Sequence, residues 1–525
     1  MAMDHLAAID IGTNSFHLIV VKLLENGSFD IIDREKEVIR LGLSKSADMK
    51  HIQPEAIKRA IECLSRFKII AQSYNAPVRA VATSAVRESL NKDEFIEQVL
   101  EETGIDIEVI SGFEEARLIY MGILQAVQIY NKRALCIDIG GGSTEFLVGY
   151  QGKIIYANST KLGAVRLSQM FFPDFELSKS SLDKCTNWVN GELYPIIKEL
   201  KKHDFDIVVG SSGTIMSAGH IIRARESSYE SESVILNNFN LTQSDLQKVT
   251  ENVLKKTTVK ERRKVPGLDE KRADIIPAGL IILNSIVKQL SLKEITISGY
   301  ALREGIVLDT MKKLLPSGNH PELSDIRFQS IKQLAETCQY DKEHSFHVAK
   351  LSLQIFDQLE DLHKLDGTSR ELLQAAAILH DIGFHISHAQ HHRHSYYIIR
   401  NGELLGFNDN EIEVIANVAR YHRKSHPKEN HKEYAHLAEK YKSIIRKLAS
   451  LLRIADSLDR THSQLIEQIE VEKDHQKNLC LKVFYSNEEP EIELWNLERR
   501  KALFEEVFDR KLSIVAEKTP LKVPV

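Results

Sequence analysis

The sequence is poor in cysteine, in long apolar runs and in charge of one sign. Its five cysteines, Cys63, Cys136, Cys185, Cys338 and Cys480, are scattered along 525 residues. Odd in number and without a C-x-x-C pair, they give no disulfide framework and read as reduced thiols. The most apolar stretch, Ile275 to Val287, is broken by Pro277, Asn284 and Ser285 and is too short to span a bilayer. The N-terminus has no basic region followed by an apolar one, so no secretory signal is expected. With 69 basic and 74 acidic residues the formal net charge is −5, so any polyanion site must be local. These absences predict a soluble cytoplasmic protein, with neither membrane nor nucleic acid as partner. The length predicts three or four domains with well-buried cores.

The most informative stretch is Cys136-Ile137-Asp138-Ile139-Gly140-Gly141-Gly142-Ser143-Thr144-Glu145-Phe146, followed by Leu147-Val148-Gly149-Tyr150. An acid ending a short apolar run, three glycines, two hydroxyl residues and more apolar residues predict strand, tight turn, strand. Glycine allows positive φ and removes Cβ, so backbone N–H groups can converge on an anion while Asp138 holds a bridging cation. Phosphate with Mg²⁺ suits such a loop. No Gly-Lys-Ser/Thr follows, and the segment continues as a strand, which disfavours Walker and Rossmann loops. A second copy, Ala8-Ile9-Asp10-Ile11-Gly12-Thr13-Asn14-Ser15-Phe16, repeats the order of acid, glycine, hydroxyl and aromatic. Asn26-Gly27 after the first copy and Gln151-Gly152 after the second are hairpin signals. The repeat predicts two similar domains whose loops clamp a phosphate from both sides.

Between the copies, apolar periodicity predicts helices over Gln53 to Tyr74 and Lys92 to Thr103, the second ending at Gly104. A strand at Val78 to Val81 leads into a loop carrying Arg87, placed to meet a phosphate. A strand at Ile105 to Ile110 precedes Ser111-Gly112-Phe113-Glu114-Glu115-Ala116-Arg117-Leu118. Ser111 and Glu114 have capping-box spacing, which leaves Glu115 free to orient and deprotonate a water. Later, a helix near Ser180 to Lys201 is followed by a strand running into Gly210-Ser211-Ser212-Gly213-Thr214, a turn that opens a helix and offers donors to phosphate. Beyond it, Lys264, Lys271, Arg272 and Arg303 suggest a track for an extended polyanion. A Pro/Gly linker at 315–321 separates this half from a helical, histidine-rich segment containing His344, His347, His380, Asp381, His385, His388, His391, His392, His394, His422 and Asp456. Histidine and aspartate gathered from several helices suit a divalent metal. After about Leu465 the pattern becomes strand (Leu479 to Tyr485), helix (Leu497 to Phe508) and strand (Leu512 to Val515).

These motifs, in this order, resemble the exopolyphosphatase and guanosine pentaphosphate phosphohydrolase family over essentially the whole chain. The resemblance rests on the paired Asp-Ile-Gly loops, residues 111–118, Gly-Ser-Ser-Gly-Thr at 210–214 and Ala-Leu-Arg-Glu-Gly at 301–305. It implies an α/β fold of two ribonuclease-H-like domains, of the actin, sugar-kinase and chaperone-ATPase superfamily, around a cleft. The expected spans are 1–125 and 126–312, then a helical His-Asp phosphohydrolase-like domain over 322–465 and a small α+β module over 466–525. It further implies Glu115 as catalytic base and Arg87 as the grip on the reacting phosphate. Asn14, Ser15, Gly141, Gly142, Ser143, Gly213 and Thr214 are the expected phosphate binders, and Asp138 and Asp10 the expected Mg²⁺ ligands. A monovalent cation such as K⁺ is a further expected cofactor. His344, His380, Asp381 and Asp456 match all four ligand positions of the third domain's relatives, which implies a transition metal there. One departure is Ser298-Gly299-Tyr300, where many members have Ser-Asp-Gly.

The expected activity is Mg²⁺-dependent removal of terminal phosphate from inorganic polyphosphate, with guanosine pentaphosphate as a second substrate and a homodimer as the assembly. The rival within the class is a guanosine pentaphosphate-specific enzyme. The rival outside it is an actin-like nucleotide-binding regulatory module, against which the presence of Glu115 argues.

Overall fold

The computed structural model describes residues 4–24, 28–43, 50–226, 235–314, 326–402, 404–405, 407–473, 478–486 and 488–518. The expected turn at Asn26-Gly27 and the linker at 315–321 lie outside them. The chain divides into two compact units, Met1–Ile326 and Arg327–Val525.

The first unit contains two sheets. Strands β1 (His5–Ile11), β2 (Ser15–Leu23), β3 (Phe29–Val38), β4 (Val78–Ala82) and β5 (Ile107–Val109) lie in the order β3-β2-β1-β4-β5. The second sheet is formed by β6 (Ala134–Ile139), β7 (Thr144–Tyr150), β8 (Lys153–Thr160), β9 (Ile207–Ser211), β10 (Asn240–Thr242) and β11 (Glu294–Ile297), in the order β10-β11-β9-β6-β7-β8. The run β8-β7-β6-β9-β11 repeats the first sheet's order, and β10 adds an antiparallel edge. Each repeat begins with an antiparallel hairpin and returns to a parallel neighbour of its first strand. Both first strands are apolar along most of their length because helices cover the sheets, so Ile9, Ile11, Ile137 and Ile139 are fully buried.

Local chemistry explains the helices that carry the sheets. Pro54 occupies the first position of the helix Pro54–Ser73, where its missing N–H costs nothing. The helix Lys92–Thr103 ends at Gly104 in the left-handed region, φ 64°. Ser111 Oγ accepts from the Glu114 N–H at 3.2 Å to cap the helix Gly112–Ala126. The expected capping box is only half formed, because the Glu114 carboxylate bonds Arg117 instead. The apolar stretch around 275–287 forms the helix Ile276–Leu290, buried in the core of the second sheet. Among the described residues no helix is long and apolar enough to cross a membrane. Arg262, which the sequence places in a charged cluster, is fully buried and donates to the carbonyls of Lys256, Thr257 and Ala273.

The helix Gly112–Ala126 crosses the helix Leu302–Leu314 at a pair of glycines. A Cβ on Gly305 would stand 1.8 Å from the carbonyl oxygen of Leu118, and one on Gly122 2.0 Å from that of Ala301. An ion cluster locks the crossing. Asp309 takes Arg117 at 2.6 Å, Arg79 at 2.7 Å and Lys313 at 2.8 Å. Burial opposes the charge on Asp309, but these three cations outweigh it and hold the carboxyl well below its usual range.

In the second unit the helices Lys342–Gln358, Gly367–Leu379, His391–Asn401, Asp409–Arg420 and Glu439–Ser457 pack together. They are followed by β12 (Ile466–Lys473), β13 (Leu479–Tyr485) and β14 (Leu512–Lys518), in that order. The single helix expected over Leu497 to Phe508 is two, Glu491–Arg500 and Ala502–Phe508. Strand β12 escapes the sequence pattern because a register shift between Ile466 and Gln468 breaks its alternation.

Replacing Gly305 by Ala forces the crossing helices apart, and overpacking of this kind costs about 1–3 kcal/mol. Urea denaturation of Gly305→Ala is expected to show a loss at the upper end of that range, since the obstacle is backbone. A midpoint equal to wild type would mean that the crossing is slack.

Candidate active site

The two hairpins place ionisable residues in equivalent registers. Asp10 on β1 faces His17 on β2, and Asp138 on β6 faces Glu145 on β7. The turns between these strands approach each other closely. A Cβ on Gly142 would lie 2.6 Å from Thr13 Oγ1 and 2.5 Å from Ser84 Oγ, and one on Gly141 would lie 3.3 Å from Asn14 Cβ. Glycine is therefore required at 142 by close approach.

Between the turns lies a cavity of about 530 Å³. Of the residues named from sequence, Asp10, Asn14, Ser15, Glu115, Asp138, Gly141, Gly142, Ser143 and Gly213 line it. Two do not: Arg87 and Thr214. Arg87 ends the short helix Ser84–Arg87 and does not sit in a loop. Its Nη1 donates to Glu115 Oε2 at 3.0 Å and to the Ile110 carbonyl at 2.8 Å, so it holds the carboxylate in place. Thr214 is fully buried, its Oγ1 without a hydrogen-bond partner. Asn14, by contrast, has both side-chain polar atoms buried and unpartnered at the cavity wall.

The electrostatics are set by too many acids in too little water. Burial, reinforced by Glu115 and Asp138 and opposed by Arg303, pushes Asp10 up to about 7. Burial pushes Glu115 to about 7 against the pull of Arg87, with Asp138 adding to the rise. Burial also raises Asp138 to about 6, although the hydroxyls of Ser211 and Ser212 oppose it. Ser211 Oγ donates to Asp138 Oδ2 at 2.5 Å. Ser212 has φ 74°, in the left-handed region that side-chain-bearing residues avoid, and this places it at the start of the helix Ser212–Glu226 beside Asp138. Glu145 is raised well above its usual range by burial and by Glu115 and Asp138. Its Oε1 accepts from Ser159 at 2.8 Å, while Oε2 is buried without a partner.

Cationic side chains line another part of the same cavity. Lys36, Arg272 and Arg303 are there with His17. Arg303 Nη1 stands 3.4 Å from His17 Nδ1, and His17 Nε2 is 2.9 Å from Ser15 Oγ. Burial, then Arg303, Lys36 and Arg272, drive His17 well below its usual value, so it is neutral. Arg272 keeps a buried Nε without a partner. Of the four residues suggested for a polyanion track, Arg272 and Arg303 line the cavity, while Lys264 and Lys271 are exposed and do not. The sequence reading missed His17, Lys36 and Glu145. For His17 and Glu145 a signal existed, since each lies seven residues after its hairpin's aspartate, the cross-strand position that a tight turn between them imposes.

In the second unit the four expected ligands also meet. His380 Nε2 is 3.3 Å from His344 Nε2, 3.5 Å from Asp381 Oδ2 and 3.6 Å from Asp456 Oδ1. The other Asp456 oxygen accepts from Arg500.

A family model described as the Ppx/GppA phosphatase family matches residues 20–314, and one described as Ppx/GppA phosphatase, domain III, matches residues 326–501. Among solved structures, an exopolyphosphatase from Cytophaga hutchinsonii is 29% identical, with 59% of this chain and 98% of that one covered and a TM-score of 0.54. The Aquifex aeolicus Ppx/GppA family member is 26% identical, with 59% and 98% covered and a TM-score of 0.49.

Burial holds Asp10, Glu115 and Asp138 above the value of about 4 for unfolded carboxyls. These three groups therefore bind more protons in the folded chain than in the unfolded one between about pH 4 and 7, and their contribution to stability falls as pH rises through that window. Asp10→Asn removes one of the three charges. Without divalent cation, calorimetry is expected to show a higher thermal midpoint for this variant than for wild type near pH 8 and a smaller difference near pH 5. Equal midpoints near pH 8 would count against the crowding of acids.

Proposed function

Because this chain belongs to the Ppx/GppA phosphatase family, whose members hydrolyse phosphoanhydrides, we propose that it releases terminal phosphate from inorganic polyphosphate, with guanosine pentaphosphate as a second substrate. The observation that carries this reading is the pairing, in one cavity, of a buried base, Glu115, with the unpartnered Asn14 and the cations Lys36, Arg272 and Arg303. A linear polyanion presents the same charge at every residue, so a cationic wall beside the acids suits it.

In this reading the terminal phosphoryl group rests between the Thr13–Ser15 and Gly141–Ser143 turns, which hold it from two sides. Glu115, oriented by Arg87, accepts a proton from a water as the water oxygen bonds to phosphorus. The bridging P–O bond then breaks, and the shortened chain leaves with the electron pair and is protonated by solvent. A basicity near neutrality suits Glu115 to taking that proton. Asp10 and Asp138 are the residues that would hold Mg²⁺, and their crowding with Glu145 fits a divalent cation; bound there, Mg²⁺ supplies neutralisation of phosphoryl charge.

Glu115→Gln is expected to lower phosphate release from long-chain polyphosphate by about 10²–10⁴-fold while leaving polyphosphate binding in place. Release at the wild-type rate would remove Glu115 from the chemistry. Assayed side by side on polyphosphate and guanosine pentaphosphate, wild type is expected to favour the former; a strong preference for the nucleotide would reverse the substrate order.

Charge reversal at the cationic wall tests the polyanion path separately. Arg272→Glu and Arg303→Glu are each expected to weaken long polyphosphate more than triphosphate, because a long chain spans more contacts. Equal losses for both would leave no extended path.

A further inference from the structure

His17 stands between opposite charges in the cleft. In the row of facing residues that crosses the first sheet it pairs with Asp10 on β1 and with Lys36 on β3, and all three line the cavity. Its two ring nitrogens serve different partners. Nδ1 is 3.4 Å from Arg303 Nη1, and Nε2 is 2.9 Å from Ser15 Oγ. Arg303 is anchored in turn, since its Nη2 lies 3.4 Å from Oε1 of the buried Glu304, whose Oε2 accepts from the Ala301 N–H at 2.9 Å.

Donor and acceptor chemistry gives this chain of contacts one direction. A guanidinium has N–H groups and no acceptor, so the contact with Arg303 requires a lone pair on His17 Nδ1. The ring is then neutral and carries its single proton on Nε2. Nε2–H therefore donates to Ser15 Oγ. The other tautomer would set an N–H of the ring against an N–H of the arginine. A hydroxyl that accepts one hydrogen bond still has its own proton to give. Ser15 opens β2 at the end of the turn that meets Gly141 and Gly142, and it lines the cavity. Among the described residues His17 is the one partner of Ser15 Oγ, so the Ser15 proton is left for an acceptor in the cavity.

We propose that His17 is a positioning residue, which by donating from Nε2 holds the Ser15 hydroxyl as a hydrogen-bond donor to an oxygen of the terminal phosphoryl group. The inference deepens the polyphosphatase reading and rests on it for the identity of the anion. Arg303, His17 and Ser15 then form a relay in which every bond points the same way, and the arginine's charge polarises each one toward the cavity. A hydroxyl left to rotate donates to the phosphate only part of the time. Fixed from behind by an N–H, it is set for an oxyanion before substrate arrives. The ring suits the task because it is rigid, accepts at one nitrogen and donates at the other.

The first test reads the ring itself. Long-range proton–nitrogen correlation spectra of the full chain with labelled histidine, with the His17 signals assigned by their loss in His17→Gln, are expected to show His17 neutral and protonated on Nε2. A proton on Nδ1 overturns the proposal. The second test is a double-mutant cycle on polyphosphate hydrolysis. Ser15→Ala is expected to lower kcat/KM by about 10–100-fold, the worth of one hydrogen bond to a charged group. His17→Phe is expected to lower it as well, with His17→Gln, which keeps an N–H for Ser15, nearer to wild type. In the Ser15→Ala background His17→Phe is expected to change kcat/KM by less than about twofold. An undiminished further loss there would mean that His17 acts through Arg303 or through the fold, and overturns the proposal. Should His17→Phe fail to fold by circular dichroism, the same cycle run with His17→Asn decides. Should the chain hydrolyse neither polyphosphate nor guanosine pentaphosphate, the polyphosphatase reading fails, and the relay is decided by the ring spectrum and by the same cycle read as affinity for inorganic phosphate.

Discussion

The first unit depends on an electrostatic conflict held in place by packing. Asp10, Glu115 and Asp138 line one cavity, with Glu145 across the hairpin from Asp138; burial raises all four above ordinary carboxyl values, and repulsion adds to the rise of Asp10, Glu115 and Glu145. A chain free to relax would separate them. What prevents relaxation is covalent and topological. Asp10 and Asp138 are fixed on central strands, Glu145 is fixed across a hairpin from Asp138, and Glu115 is fixed on a helix whose crossing tolerates no Cβ at Gly122 or Gly305. Like charges held together without freedom to relax are the arrangement that preorganised electrostatic catalysis requires.

Duplication makes the conflict geometrically simple. Each sheet carries an acid one residue before the end of its first strand and then turns through small residues, so two equivalent loops meet with glycine and hydroxyl groups at the contact. The two copies are not electrically equal. Across from Asp138 stands another acid, Glu145, whereas across from Asp10 stands His17, kept neutral by burial and by Arg303, Lys36 and Arg272. One hairpin therefore adds negative charge to the cavity, and the other leads toward the cationic side chains Lys36, Arg272 and Arg303.

Most of this was legible in the sequence because the signals are local. The repeated Asp-Ile-Gly hairpins, the end of the helix Lys92–Thr103 at Gly104 and the Ser111 cap each depend on residues a few positions apart, and the structure forms all three. What was not legible depends on chain segments far apart. Arg87 was expected in a loop, but it ends a short helix and bonds both the Ile110 carbonyl and Glu115, contacts that join residues 23 and 28 positions apart. Lys264 and Arg272 look alike in a list of basic residues; only the packing sends Arg272 inward and leaves Lys264 in solvent. Likewise Arg262 reads as part of a solvated run, yet its guanidinium is consumed by backbone carbonyls that no local pattern brings together.

Donor chemistry differs between the two units. Around the cavity of the first unit the converging ligands are carboxylate and hydroxyl oxygens, which suit a hard ion that keeps part of its water and exchanges with substrate. In the second unit four imidazole nitrogens converge on the carboxylate of Asp381, with every outer nitrogen anchored. That set suits a softer ion. Affinity for nitrogen donors rises steeply from Mg²⁺ to the later first-row metals, while affinity for carboxylate oxygen varies less, so the two donor sets differ in the ions they suit.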